Sequence, residues 1–158
     1  MAALSPWHPA ALIATWFGSG LLPAAPGTWG SLAALPVGLL VVWAGGPLAL
    51  LLAAAALLLL GLWASARYEA AAQRKDPGEI VVDEVVGQWL ALVPAGLAPL
   101  GILLAFCFFR LFDVAKPWPV SWADRALPGA WGIMLDDVFA GLYAALFTYG
   151  ALWLWGSL

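Results

Sequence analysis

Apolar residues run through this 158-residue chain in long, nearly unbroken blocks, and the charged residues that interrupt them are confined to two places. Every Asp, Glu, Lys and Arg lies within 67–84 or 110–137, leaving 1–66, 85–109 and 138–158 without a formal charge. The stretches LALLLAAAALLLLGLWASA (48–66) and VFAGLYAALFTYGALWLWGSL (138–158) each approach the ~20 apolar residues with which a helix spans hydrocarbon. Turn residues divide the blocks. Gly45, Gly46 and Pro47 predict a hairpin of helices over roughly 31–44 and 47–72. VPAGLAP (93–99) predicts a second hairpin over 79–94 and 99–112, which dips into or nearly across the membrane and returns. A last helix over about 136–156 crosses alone, with Trp153 and Trp155 at the far interface. PWHPAALIATWFGSG (6–20) is too short to span and is expected to lie along the interface. The fold class is therefore all-α: a polytopic integral membrane protein with about four membrane-embedded helices in hairpins plus an interfacial N-terminal helix, organised as one domain over 1–158.

Composition supports the bilayer setting, since 65% hydrophobic and 9% charged residues do not describe a water-soluble globule. MAALSPWHPA lacks the positive n-region of a signal peptide, so membrane residence is expected rather than secretion. All six Lys and Arg fall in the two charged islands, and the hairpin at VPAGLAP puts both islands on one side. The positive-inside rule makes that side cytoplasmic. A net charge of −3 argues against a nucleic-acid surface. Cys107 is the single cysteine, which rules out an intramolecular disulfide and leaves a buried packing thiol as the expected role.

The acids gather where polar islands meet oily segments. In EIVVDEVV (79–86), a helix beginning at Glu79 would place Glu79 and Asp83 on one face, with Glu84 about 100° round from Asp83. Acids also stabilise a helix start through its dipole, so the pattern alone leaves a structural role open. An uncompensated carboxylate at membrane depth costs about 2.5–3.5 kcal/mol or more, which makes a charged partner or a metal the default expectation for Asp83. FRLFDVAKPWP (109–119) sets Arg110, Asp113 and Lys116 along one side of a helix end, before Pro117 and Pro119 force an extended exit. GIMLDDVFAG (132–141) repeats the first arrangement, with Asp136 and Asp137 preceding an apolar helix, where one Asp could act as a cap. LLPAAPGTWGS (21–31) is uncharged, with Thr28 and Ser31 at an expected helix start whose peptide N–H groups suit an anion. It lacks the Gly-Lys-Ser/Thr ending of a Walker loop. His8 and Asp124 need no catalytic explanation. Trp118, Trp122 and Trp131 are expected to anchor the polar loop in the headgroup layer.

Carboxylates without His or Cys partners suit Mg²⁺, and cations with helix-start N–H groups alongside suit phosphate. The sole histidine leaves an acyl-transfer triad without a candidate base. The residues by themselves thus read as a Mg²⁺-dependent enzyme acting on a phosphate at the cytoplasmic membrane face.

The chain also resembles phosphatidylglycerophosphatase A, a family of membrane enzymes that remove the terminal phosphate of phosphatidylglycerophosphate to give phosphatidylglycerol. The resemblance rests on PWH (6–8), GSGLLPAAPGTWGSLAALP (18–36), DPGEIVVDEVVG (76–87), FRLFDVAKPWP (109–119) and GIMLDDVFAG (132–141), in order and at similar spacing. It implies one membrane-embedded phosphatase domain, Mg²⁺ dependence, an anionic phospholipid substrate and a bacterial inner-membrane setting. It implies that Glu79, Asp83, Glu84, Asp113, Asp136 and Asp137 form the metal-binding pool. Arg110 and Lys116 would hold the phosphoryl oxygens, helped by Thr28, Gly30 and Ser31, with Asp83, Asp137 and Lys116 as catalytic groups. Hydrolysis by a Mg²⁺-activated water and a covalent aspartyl-phosphate on Asp83 or Asp137 both fit these residues.

Two rival classes make different demands. CDP-alcohol phosphotransferases also cluster acids at the membrane surface, but their Asp-Gly-x-x-Ala-Arg pattern is absent. A small transporter or ion channel with a carboxylate relay needs polar groups at successive depths, whereas these acids collect at segment ends.

Overall fold

The computed structural model describes residues 4–156, and among them every regular element is helical. α1 spans Pro9–Ala14, followed by a 3-10 turn at Ser19–Leu21; α2 spans Pro26–Ala72, α3 Val82–Leu92, α4 Pro99–Ala115, α5 Val120–Ala126 and α6 Gly129–Gly156. Two of these, α2 and α6, are long and apolar enough to cross a membrane.

α2 is two arms meeting at Gly46, whose φ of 75° and ψ of −175° leave the helical region. That conformation is open to glycine and costly for other residues, and Pro47 cannot continue the preceding ladder, so the sequence breaks the helix where the turn residues predict. The arms double back. A Cβ on Gly30 would meet the Val81 side chain at 2.7 Å, and one on Gly61 would lie 3.4 Å from Val82, so both arms reach the start of α3. Gly38, further along the first arm, lies against Trp89 and Leu92, and Trp89 Nε1 donates to the Ala34 carbonyl at 2.9 Å.

α3 is the axis of the bundle, with Val82, Val85, Val86, Gly87, Gln88, Trp89, Ala91 and Leu92 all buried. α4 returns beside it, as Gly101 packs on Ala95 and Phe109 on Gly87. α6 lies along the other side, with Gly141 set against Gly87 so that an added Cβ would meet the Gly87 carbonyl oxygen at 2.5 Å. Small residues at such crossings let two backbones approach, the usual way that helices pack where lipid offers no hydrophobic contrast. The outside is oily instead: Leu40, Leu59 and Leu146 are each 60% exposed or more. Cys107 lies on this exposed surface rather than in the packed interior, because it falls on the face of α4 opposite Ala105 and Phe109.

Three boundaries differ from the sequence reading. α3 begins at Val82, not Glu79, because Pro77 and Gly78 turn the chain and the Val81 N–H donates to the Ala14 carbonyl at 2.8 Å. α6 begins at Gly129, with φ +53°, so Asp136 and Asp137 stand about two turns inside a helix rather than capping one. The exit after α4 is extended only briefly, since Pro119 is the N-cap of α5 and proline is well tolerated at a helix start.

Candidate active site

The first turn of α3, the start of α2, the end of α4, α5 and the early turns of α6 converge at one end of the bundle. They enclose an open cavity of about 700 Å³. Its walls bring the two charged islands together: Asp83 and Glu84 from one, Asp113, Lys116, Asp136 and Asp137 from the other.

Asp83, Glu84 and Asp137 each offer a carboxylate oxygen, and these oxygens lie within 4.8 Å of one another. Asp83 Oδ1 and Glu84 Oε2 are buried and lack a hydrogen-bond partner. Three acids this close repel strongly, and buried carboxylate oxygens without donors are rare unless a cation completes them. An all-oxygen donor set of this kind fits a hard divalent cation such as Mg²⁺, not a soft or imidazole-seeking metal. Gly27 closes the site from the side of α2, where a Cβ would run into Glu84 Oε1.

The neighbouring acids are differently placed, because each already has a cation. Asp113 pairs with Arg110 Nη1 at 2.7 Å, and Arg110 Nη1 also donates to Ser31 Oγ at 3.3 Å. Ser31 Oγ in turn donates to the Gly27 carbonyl at 2.9 Å, so Arg110 ties the start of α2 to the end of α4. Lys116, in the left-handed conformation just past α4, donates to Asp124 Oδ1 at 2.7 Å and Asp136 Oδ2 at 2.8 Å. Partial burial alone would lower the Lys116 pKa, but the hydrogen bonds to Asp124 and Asp136 outweigh it and raise it, so the ammonium stays charged. Asp136 Oδ1 accepts the Asp137 N–H at 2.9 Å, which orients the Asp136 side chain.

The chain matches the family profile described as Phosphatidylglycerophosphatase A over residues 12–152. It is 41% identical over 148 residues to the Phosphatidylglycerophosphatase A of Haemophilus influenzae, covering 92% of this chain and 88% of that protein. It is 38% identical over 160 residues to the protein of the same name from Escherichia coli, covering 98% and 89%. The chain belongs to the phosphatidylglycerophosphatase A family. A Bacteroides thetaiotaomicron protein named "Putative phosphatidylinositol-3-phosphatase" is 38% identical over 152 residues, covering 92% of this chain and 94% of that protein. No solved structure matches the chain.

The stretch shared with phosphatidylglycerophosphatase A contains every charged residue of the chain, and the fold sorts them. Glu79 is set apart from the acid cluster: it precedes α3 and accepts from Arg74 Nη2 at 2.7 and 2.9 Å, a pairing that holds its carboxyl below the usual glutamate range. Thr28 does not line the cavity, and its N–H and that of Trp29 are bonded to the Ala25 carbonyl at 2.9 and 3.2 Å. Gly30 is buried against Val81, so its smallness serves helix packing, while Gly27 is the glycine beside the acids. Arg110 stands behind Asp113 rather than on the cavity wall. His8 caps α1, its Nδ1 accepting the Ala10 N–H at 3.1 Å. Asp124, given no catalytic role from sequence, joins the site through Lys116. No local signal marks it, because its partner is eight residues away across two prolines.

Proposed function

We propose that this chain hydrolyses the terminal phosphomonoester of phosphatidylglycerophosphate, giving phosphatidylglycerol and inorganic phosphate, as one Mg²⁺-dependent phosphatase domain embedded in the bacterial inner membrane. The observation that carries the reading is the trio Asp83, Glu84 and Asp137, converging from α3 and α6 in a member of the phosphatidylglycerophosphatase A family. Asp83, Glu84 and Asp137 hold the ion, with Asp113 and Asp136 beside them. When bound, Mg²⁺ supplies charge screening for the phosphoryl group and an acidified water.

The chain's own groups do the rest. Asp83 and Asp137 also face the phosphoryl side of the cavity, where one carboxylate accepts the proton that the attacking water loses. The bond from phosphorus to the glycerol oxygen breaks, and that oxygen leaves as an alcohol by taking up the proton that the acid cluster received from the water, so the carboxylate is regenerated. Lys116, a fixed positive charge on the wall, donates to a phosphoryl oxygen. Arg110 and Ser31 keep α2 and α4 in register behind the acids.

Four helical passages meet a bilayer at this end of the bundle: the two arms of α2, the α3–α4 hairpin and α6. The first arm, 26–45, is about 30 Å long, matching the hydrocarbon core. α3 is only about 16 Å, so its hairpin enters without crossing, and its turn over 93–98 is tolerated because neighbouring helices cover it. Exposed aromatics mark two levels: Trp29, Trp118 and Trp131 near the cavity, and Trp43 and Trp153 at the opposite end. α1, flanked by exposed Trp7 and Phe17, lies in the interface at the cavity level. The concentration of Lys and Arg at that level makes it cytoplasmic.

Protein in detergent micelles should release phosphate from phosphatidylglycerophosphate only with Mg²⁺ present. Asp137→Asn should abolish release, while Glu79→Gln, outside the acid cluster, should stay within about twofold of the parent. Full release in EDTA would remove the metal from the reading, and full turnover in a folded Asp137→Asn protein would remove the trio.

A further inference from the structure

The mouth of the cavity carries two cations that the reaction as described does not use. Of the six Lys and Arg side chains, Arg74 is paired with Glu79, Arg110 with Asp113, and Lys116 with Asp124 and Asp136. Arg67 does not line the cavity. The remaining two, Lys75 and Arg125, both line it, both are exposed, and neither makes an ion pair among the described residues, although the acids Glu69 and Asp76 line the same cavity. They come from separate places, Lys75 from the turn after α2 and Arg125 from the last turn of α5, so only the fold puts them on one cavity.

Phosphatidylglycerophosphate carries two phosphates of different kinds. The terminal monoester must reach the acids, while the internal phosphodiester, one glycerol away, passes unchanged into the product. A cavity of about 700 Å³ is far larger than one phosphate group and has room for both. We infer that Lys75 and Arg125 are a specificity-determining pair that grips the internal phosphodiester at the cavity mouth while the terminal phosphate lies against the acids inside. This rests on the phosphatidylglycerophosphatase reading of the same site. Arg125 can fork across both non-bridging oxygens of the diester, and Lys75 adds a mobile point charge. Because the diester does not react, the contact is equally strong in the ground and transition states, so its loss raises KM and spares kcat.

The test uses Lys75→Gln, Arg125→Gln and the double variant of the whole chain, in mixed micelles of neutral detergent with Mg²⁺. KM for phosphatidylglycerophosphate should rise about tenfold in each single variant, with kcat within about twofold. Phosphatidylglycerol, which has the diester but no monoester, should lose inhibitory potency by the same factor, and inorganic phosphate should inhibit as before. Arg67→Gln controls for general attraction to anionic micelles and should leave all three constants unchanged. Unaltered KM, equal weakening of both inhibitors, or the same losses in Arg67→Gln would overturn the inference. A parent protein that releases no phosphate refutes the phosphatase reading and this inference with it, whereas active variants with parental KM refute the pairing alone.

Discussion

Replacing Asp83 by Asn should make the metal-free protein more stable while destroying its activity. The side chain keeps its shape, so packing in the first turn of α3 is preserved. Its charge is lost beside Glu84 and Asp137, whose oxygens lie within 4.8 Å. At an effective dielectric of about 20, each like-charged pair at that distance costs about 3.5 kcal/mol, and Asp83 takes part in two of the three pairs. Coupled acids share protons rather than carry full charges, so the variant should recover only a part of this, about 1–2 kcal/mol, within the ordinary range for one substitution. For a chain of this size that is a rise of about 2–8 °C in the unfolding midpoint. The new amide N–H₂ can also donate to Glu84 Oε2, which has no hydrogen-bond partner. With Mg²⁺ the order reverses, since the parent gains binding energy on folding and the variant has lost a ligand. Thermal unfolding in detergent, in EDTA and across a Mg²⁺ titration, alongside phosphate release, reads both effects. A folded Asp83→Asn protein that is less stable than the parent in EDTA, yet keeps its Mg²⁺-induced shift and turnover, would refute the reasoning.

Two substitutions in GTWGS should separate the site from the scaffold. Gly27→Ala drives a methyl into Glu84 Oε1 and should lower turnover and Mg²⁺ affinity at least tenfold with little change in metal-free stability, whereas Gly30→Val strikes Val81 and should lower thermal stability first, as unfolding and activity measured in parallel would reveal. Topology is open to cysteine labelling in a Cys107→Ser background: Lys75→Cys and Arg125→Cys should react from the same side of sealed vesicles and Ala44→Cys from the other, and opposite accessibility of 75 and 125 would dismantle the shared cavity.

The sequence foretold the pairing of islands better than the position of any single acid. Confinement of charge to 67–84 and 110–137, with VPAGLAP between, already pointed to both islands at one end, because a chain that turns back at VPAGLAP returns its two charged flanks to the same side. Gly46 was equally legible, being a glycine before a proline in an apolar run. Helix starts were not. In a soluble protein a polar run marks where a helix emerges, but GAWGIML before Asp136 is apolar throughout, so the earlier start of α6 at Gly129 left no trace in hydropathy. Glu79 misled by spacing alone: four residues from Asp83 suggests one helix face, and only the turn at Pro77 and Gly78 sends it to Arg74. Lys116 was expected beside Asp113, three residues away, yet it reaches Asp124 and Asp136, choices made by the fold around α5.

The contact of Gly87 with Gly141 governs more than packing. Asp83 and Glu84 lie about one turn before Gly87, and Asp137 one turn before Gly141, so the two sides of the acid cluster hang from a single backbone-to-backbone joint. Side chains can swing, but a joint without side chains has nothing to compress or extend, and the spacing between α3 and α6 is fixed there. A divalent cation held by the acids would have to fit the span that this joint sets. Mg²⁺ asks for oxygens at about 2.0–2.1 Å and Ca²⁺ for about 2.3–2.6 Å with more ligands. An ion held there would thus be measured by two glycines that never touch it, and its radius, not only its charge, would decide whether it stays.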